Sequence, residues 1–427
     1  MPHNLAANRM LDCRGKPGTD NAGNEMPESR RQTMGVSAAF AEPPRPHAQR
    51  LVAGLGLATL LAGAAMLGRD GWRGGALFLV GGLLGMSLYH AAFGFTSAYR
   101  NAIVRRDVSG VSAQLVMLGL ATLLFAPALA QGQAFGQGVA GAVAPVGVQV
   151  AVGSFVFGLG IQLAGGCGSG TLYTVGGGSV RMVATLAAFC AGGFLGSLDL
   201  ARWAAAPSWG SVSLAGLWGW PAAVAAQLGV LLLLWLGFRL WAGGRPAPRP
   251  LWDGLSWRRL LAGPWPLLLG AGLLALLNWV TLLIAGHPWS ITWAFTLWGA
   301  KAAAALGWDP ATSPLWSGGF PAAALGQSIF RDTTSIMDIG IVLGALTAAG
   351  FAGRFAPVVR VKLRSLAAAL IGGLLMGYGA RLSYGCNIGA FFSGVASTSL
   401  HGWLWILCAI PGTWLGVRLR PLFGLRN

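Results

Sequence analysis

Four stretches of this 427-residue chain, 108–180, 203–238, 260–300 and 382–417, contain no Asp, Glu, Lys or Arg. A soluble protein of this length cannot cover its surface with so few charges, whereas a bilayer-spanning helix needs only about 20 mostly apolar residues. The chain therefore reads as an all-α polytopic membrane protein. A formal charge of +17 raises nucleic acid as a partner, but the basic residues sit mainly in connections between apolar runs and all three Glu fall within the first 42 residues. That is the placement of the positive-inside rule. The expected partner is the lipid bilayer, not nucleic acid.

The apolar runs order the chain. Residues 1–50 are polar, lack the apolar core of a signal peptide and read as a disordered N-terminal tail holding Cys13. Spans are expected near 51–68, 75–92, 111–130, 146–163, 182–198, 221–241, 265–285, 339–353, 365–382 and 403–417. Residues 243–264, rich in Pro and Gly and carrying Arg245, Arg249, Arg258 and Arg259, form a linker. It divides a first transmembrane repeat, 51–242, from a second, 265–420, with 421–427 as a C-terminal tail.

The division into repeats rests on one motif. At an offset of 219, residues 158–170 (GLGIQLAGGCGSG) and 377–389 (GYGARLSYGCNIG) agree at six of thirteen positions. Gly158, Gly160, Leu163, Gly166, Cys167 and Gly170 match Gly377, Gly379, Leu382, Gly385, Cys386 and Gly389. Composition alone gives roughly one match, so the chain contains an internal duplication. At an offset of 196 the second half also places Trp289 on Phe93, Ser290 on Gly94 and Thr292 on Thr96. The extra residues between the two motifs fit an insertion within 301–331. Inverted repeats are expected, since a through-path needs an opening on each face.

Each copy breaks at glycines around one cysteine, with no charge on either side. Glycine costs up to about 1 kcal/mol per residue in a helix relative to Ala, so 164–178 is expected to lack a continuous helix and to form a re-entrant loop. Segments resuming after the cysteines, if half-helices, would aim their positive ends at the membrane centre, where an anion can be received. The thiols add soft S–H donors there. The candidate binding residues are therefore Cys167, Cys386, Gly166, Gly168, Gly170, Gly385 and Gly389, with Arg381 and its counterpart Gln162. An arginine so deep in an apolar run is expensive without a partner.

Other polar residues carry plainer readings. Arg181 either lines an entrance or snorkels to the surface. Asp199 and Asp338 are placed at helix edges as caps, with ion pairing or proton transfer as the alternative. His90, His287 and His401 read as packed or interfacial, and Cys190 and Cys408 as packing residues. The five cysteines show no C-x-x-C spacing and no Cys/His cluster, so neither a metal site nor a cofactor is expected.

The paired G-x-G-x-x-L-x-x-G-C-x-x-G motifs, with residues 286–301, resemble the YeeE/YedE family of sulfur-transport membrane proteins, in its long duplicated branch. The resemblance implies a multi-pass bacterial inner-membrane permease, not an enzyme, for a small sulfur-containing anion such as thiosulfate or a related sulfur or selenium species. It also implies that Cys167 and Cys386 pass the anion through S–H hydrogen bonds without a covalent intermediate. This chain departs from the family where an aromatic-Cys-aromatic hairpin is replaced by Phe93-Gly94-Phe95. The glycine is expected to widen a vestibule bordered by Phe93, Phe95 and Tyr99, with Trp289, Ser290 and Trp293 from the second half. Two alternatives stand beside transport: a membrane redox protein cycling the two cysteines between dithiol and disulfide, and an accessory subunit delivering sulfur or selenium to a soluble sulfur-carrier protein.

Overall fold

In the computed structural model, residues 47–243, 250–357 and 360–427 are described, and ten helices among them are long and apolar enough to cross a membrane. The expected polar tail with Cys13 and the middle of the central linker lie outside the described residues. The main helices are α1 (Arg50–Arg69), α2 (Trp72–Ala91), α3 (Phe95–Arg105), α4 (Ser109–Gln131), α5 (Val148–Ala164), α6 (Gly168–Gly176), α7 (Val180–Leu198) and α8 (Trp220–Trp241). They continue with α9 (Leu267–Ala285), α10 (Thr292–Ala305), α11 (Thr333–Phe351), α12 (Leu363–Leu382) and α13 (Leu400–Leu419). Between α12 and α13 stand a π-helical turn, Asn387–Phe392, and one short helix, Ser393–Ala396.

Where the helices touch, glycine sets the distance. Lipid supplies no hydrophobic drive between helices, so association depends on close backbone approach at small residues. A Cβ built on Gly344 of α11 would lie 1.9 Å from Gly82 O of α2, and one on Gly412 of α13 would lie 2.0 Å from Phe155 O of α5. Gly377 of α12 meets Phe189 O of α7 at 2.2 Å in the same sense. A larger residue at any of these positions forces two backbones apart. Apolar residues that face outward, such as Leu233 (68% exposed) and Leu240 (82% exposed) on α8, suit contact with acyl chains.

The helix order contains matched partnerships. α2 packs along α11 while α9 packs along α4, and α5 packs along α13 while α7 packs along α12. α5 and α12 themselves run antiparallel, with Gly153 beside Gly379 and Leu382, and Gly160 beside Gly372 and Met376. The breaks at the ends of these two helices therefore start from opposite ends of the pair.

Residues 164–178 hold no continuous helix, as expected: the chain breaks at 165–167 and resumes as the nine-residue α6, whose interior Thr171-Leu172-Tyr173-Thr174-Val175 holds the turn. One expectation changes. Asp338 is no helix edge: α11 begins at Thr333, where the Asp332 carboxylate accepts from Ser335 N at 2.8 Å, so Asp338 lies inside the helix. Asp199 does sit at the end of α7, bonded by Arg202 and by the Tyr378 hydroxyl.

Candidate functional site

The first break begins where α5 runs out of hydrogen-bond partners. Its last carbonyls need donors, and the Arg181 guanidinium supplies them, donating to Leu163 O at 2.9 Å and to Ala164 O. Arg181 thus closes a helix end while also lining a 770 Å³ cavity with Arg360, Lys362 and Arg364. Gly165 then takes a left-handed φ of +84°, and Cys167 is extended and buried. The first hydrogen bond of α6 runs from Thr171 N to Cys167 O at 2.8 Å. The amides of Gly168, Ser169 and Gly170 precede that bond, so they are the donors a helix start leaves over. Cys167 Sγ lies 3.5 Å from Ser169 Oγ.

The second break is tighter. Gly385 stands at φ +149°, and a Cβ there would be 2.7 Å from Ala390 N. Cys386, fully buried, accepts at Sγ from Ile388 N at 3.5 Å, and its carbonyl accepts from both Ala390 N and Phe391 N. That shared acceptor opens the π-helical turn. Trp405 Nε1 anchors the approach by donating to Ser383 Oγ at 3.0 Å.

The two breaks meet at Gly168. A Cβ on it would lie 3.3 Å from Cys386 Sγ and 3.4 Å from Ile291 Cγ2, so the second thiol rests against the N-terminus of the helix that leaves the first break. The other glycines keep the surroundings narrow. A Cβ on Gly170 would touch Cys167 Sγ at 3.4 Å, one on Gly166 would reach Gly170 C at 3.3 Å, and one on Gly389 would touch Ser290 Oγ at 3.4 Å. Both cysteines are free thiols. Among the described residues no cluster of His, Cys, Asp or Glu has the make-up of a metal site.

Polar atoms without partners lie on the segments that lead into and out of the two breaks. Asn387 Nδ2 donates to Tyr99 Oη at 3.3 Å while its Oδ1 is buried and unbonded. Gln162 Nε2 donates to Thr96 O at 3.1 Å, leaving Gln162 Oε1 and Thr96 Oγ1 unbonded. Arg381, the residue matched to Gln162, places its Cζ 5.7 Å from the Trp293 ring centroid, and its Nε is buried without a hydrogen bond. Buried polar atoms are normally paired, so each of these is a candidate partner for water or a ligand.

The residues expected around one vestibule are divided between two cavities. Phe93 and Gly94 line one of 110 Å³ with Ser97, Asn101, Asp107 and Leu267. Ser290 and Trp293 line another of 430 Å³ with His287, Phe320 and Asp332. Leu267 begins α9 and His287 lies just past its end, so a 19-residue helix, about 28 Å long, separates the two. Phe95, Tyr99 and Trp289 are buried and line neither. Sequence reasoning missed Arg420, which is buried and donates to Gln162 O at 2.6 Å, and misplaced Asp338. The cap signal at Asp332, three residues before Ser335, was available to correct the latter.

Comparison with known proteins adds a family. The model described as Sulphur transport matches residues 90–415. The chain is 32% identical over 173 residues to a protein of Escherichia coli (strain K12) named Probable transporter YedE, and 31% identical over 176 residues to its namesake in Salmonella typhimurium. Each alignment covers 39% of this chain and 41% of the relative, so the chain spans less than half the length of those two proteins. It is 28% identical over 376 residues to the Thiosulfate transporter TsuA of Spirochaeta thermophila, an alignment covering 80% of this chain and 97% of that protein.

Proposed function

This chain belongs to the sulphur-transport family and is a multi-pass inner-membrane protein, and on that premise we propose that it imports thiosulfate or a closely related sulfur anion past Cys386 and then Cys167. The observation carrying this reading is the contact of Cys386 Sγ with Gly168, the start of α6. Two soft S–H donors and the leftover amides of Gly168, Ser169 and Gly170 then converge on one point in an apolar surround. An anion shedding water there exchanges hydration for several directed, individually weak donors, which hold it without trapping it.

The arrangement is that of two inverted repeats, 51–242 and 265–420, each contributing one re-entrant element. Supporting this are the matched partnerships of α2 with α11 and α9 with α4, and the antiparallel course of α5 and α12. Basic residues concentrate near the Gly94 end: Arg105 and Arg106 stand at the close of α3, Arg354, Arg360 and Lys362 lie between α11 and α12, and Arg364 is in the first turn of α12. By the positive-inside rule that end faces the cytoplasm. The anion accordingly enters through the Ser290 cavity, passes Gly389 and Cys386, crosses Gly168 to Cys167, and leaves toward the basic side, with Arg381 and Gln162 flanking the path. Membership of the sulphur-transport family favours this over a dithiol–disulfide cycle, and the role we infer is transport rather than catalysis.

The test is uptake of radiolabelled thiosulfate by transport-deficient cells carrying Cys386→Ala or Cys167→Ala. A weak S–H hydrogen bond contributes about 1 kcal/mol, so each variant is expected to lose at least several-fold in uptake at unchanged membrane abundance. Full uptake in both variants removes the thiol path.

A further inference from the structure

The thiol path leaves one buried ionisable group unused. Asp338 is fully buried in the second turn of α11, and among the described residues neither of its carboxyl oxygens has a hydrogen-bond partner. Asp332, Cys190 and Cys386 are ionisable groups in electrostatic reach of it, and none of these is a cation. The nearest lysine along the packed neighbour α10, Lys301, spends its ammonium on Leu325 O and Gln327 O. An isolated carboxylate in such a place is costly, so in this closed arrangement the side chain rests as the neutral acid and gives up its proton only when water reaches it. Among the described residues, no group of His, Cys, Asp or Glu around it has the make-up of a metal site.

Its position on the helix connects two parts of the path. Thr334, one turn earlier on the same face, lines the Ser290 cavity, and Ser335 accepts from Trp298 Nε1 of α10 at 2.9 Å. Val342 and Ala345, one and two turns later, pack on Gly176 of α6. Helical side chains lean toward the N-terminus, which tips Asp338 toward the cavity. The carboxyl thus lies between an opening to one face and the half-helix that begins at the thiol junction.

We propose that Asp338 is the proton site of the carrier, loaded from the Ser290 cavity and emptied toward the other face as the sulfur anion passes. The cycle needs no redox step: the carboxylate takes one proton to become the acid and releases that same proton on the opposite side. The proton offsets part of the anion's charge, so an inward proton gradient drives anion entry. This coupling rests on the transport reading, and its test separates the two.

Purified full-length protein in liposomes, with an internal pH-sensitive dye and labelled thiosulfate as probe, reads both. An inward proton gradient is expected to drive thiosulfate accumulation, and thiosulfate entry to acidify the lumen. Asp338→Asn is expected to keep downhill thiosulfate entry and to lose both accumulation and acidification. Thiosulfate entry without proton movement, or proton movement unchanged in Asp338→Asn, overturns the proton site and leaves the thiol path standing. Absence of any thiosulfate entry by the wild-type protein removes the thiosulfate reading instead, and infrared spectroscopy then decides the site. A protonated-carboxyl band that Asp338→Asn abolishes retains it, and lack of that band overturns it.

Discussion

The break after α2 and the break after α9 align in sequence at an offset of 196, yet one leaves 110 Å³ and the other 430 Å³. The difference lies in the connection downstream of each break. Three residues, 106–108, join α3 to α4, whereas 27 residues, 306–332, join α10 to α11. That longer stretch folds into a small aromatic core of its own. Trp316 is buried, stacks on Trp293 at 5.9 Å and donates to Ser197 Oγ at 2.8 Å, while Phe320 reaches within 5.2 Å of Trp293. Helix pairing decides where the chain opens, and the inserted aromatic segment decides how wide one opening is.

The largest effect that bears on this comparison is all-or-none. In a Cys13→Ser background, Ser290→Cys is expected to react with a membrane-impermeant maleimide only from the periplasmic side, and Asn101→Cys only from the cytoplasmic side. Reaction of both from one side breaks the inverted arrangement. Next in size is Trp316→Ala, which removes a buried indole from the inserted core and is expected to cost about 3–5 kcal/mol of stability. Thermal unfolding in detergent measures it. Unchanged stability would mean that the insertion does not brace the wider cavity.

The same contrast shows how much was readable beforehand. Helix positions come from apolar runs long enough to span, so the ten candidate spans match expectation closely; α4, expected over 111–130, is Ser109–Gln131. The family was also legible, because the thirteen-residue motif pair surrounds the cysteines. Partnership across the bundle was not legible. Gly94 and Ser290 align, but only the course of α9 puts them at opposite ends. Gln162 and Arg381 align too, yet one is tied to Thr96 O and the other faces Trp293, and no spacing rule distinguishes these surroundings. Asp338 was misplaced because its helix starts with polar residues, Thr333, Thr334 and Ser335, that hide the run's true beginning.

That Gln162–Arg381 asymmetry yields a smaller effect. Arg381→Gln makes the two halves alike at this position and deletes a guanidinium beside the wider cavity. If Arg381 draws the anion inward, uptake at limiting thiosulfate is expected to fall about tenfold, the scale of one charge-assisted hydrogen bond, with abundance unchanged. Initial-rate uptake over a concentration series measures it. An unaltered rate would assign Arg381 to packing against Trp293 alone.

The smallest expected effect lies at Gly94, where the narrow cavity lacks a thiol. Gly94 has an extended backbone, φ −117°, so a side chain meets no backbone strain there. Its Cβ would instead come within 2.8 Å of Ser97 Oγ and 3.4 Å of Tyr173 Oη. Ser97 now donates to Gly94 O at 3.1 Å, and its hydroxyl can rotate away at a cost of about 0.5–1.5 kcal/mol if it leaves its rotamer well. A thiol beside Tyr173 would stand on the cytoplasmic side of Cys167 and extend the series of S–H donors. Gly94→Cys is therefore expected to raise thiosulfate uptake several-fold, about 1 kcal/mol from one added weak hydrogen bond. Combining it with Ser97→Ala removes the crowding and is expected to raise uptake further, while Gly94→Ala, which crowds without donating, is expected to lower it slightly. Equal losses in Gly94→Ala and Gly94→Cys, not relieved by Ser97→Ala, would show that close packing governs this position. The narrow cavity would then be a closed seam, with the anion leaving along the basic cleft at Arg181, Arg360 and Lys362 instead.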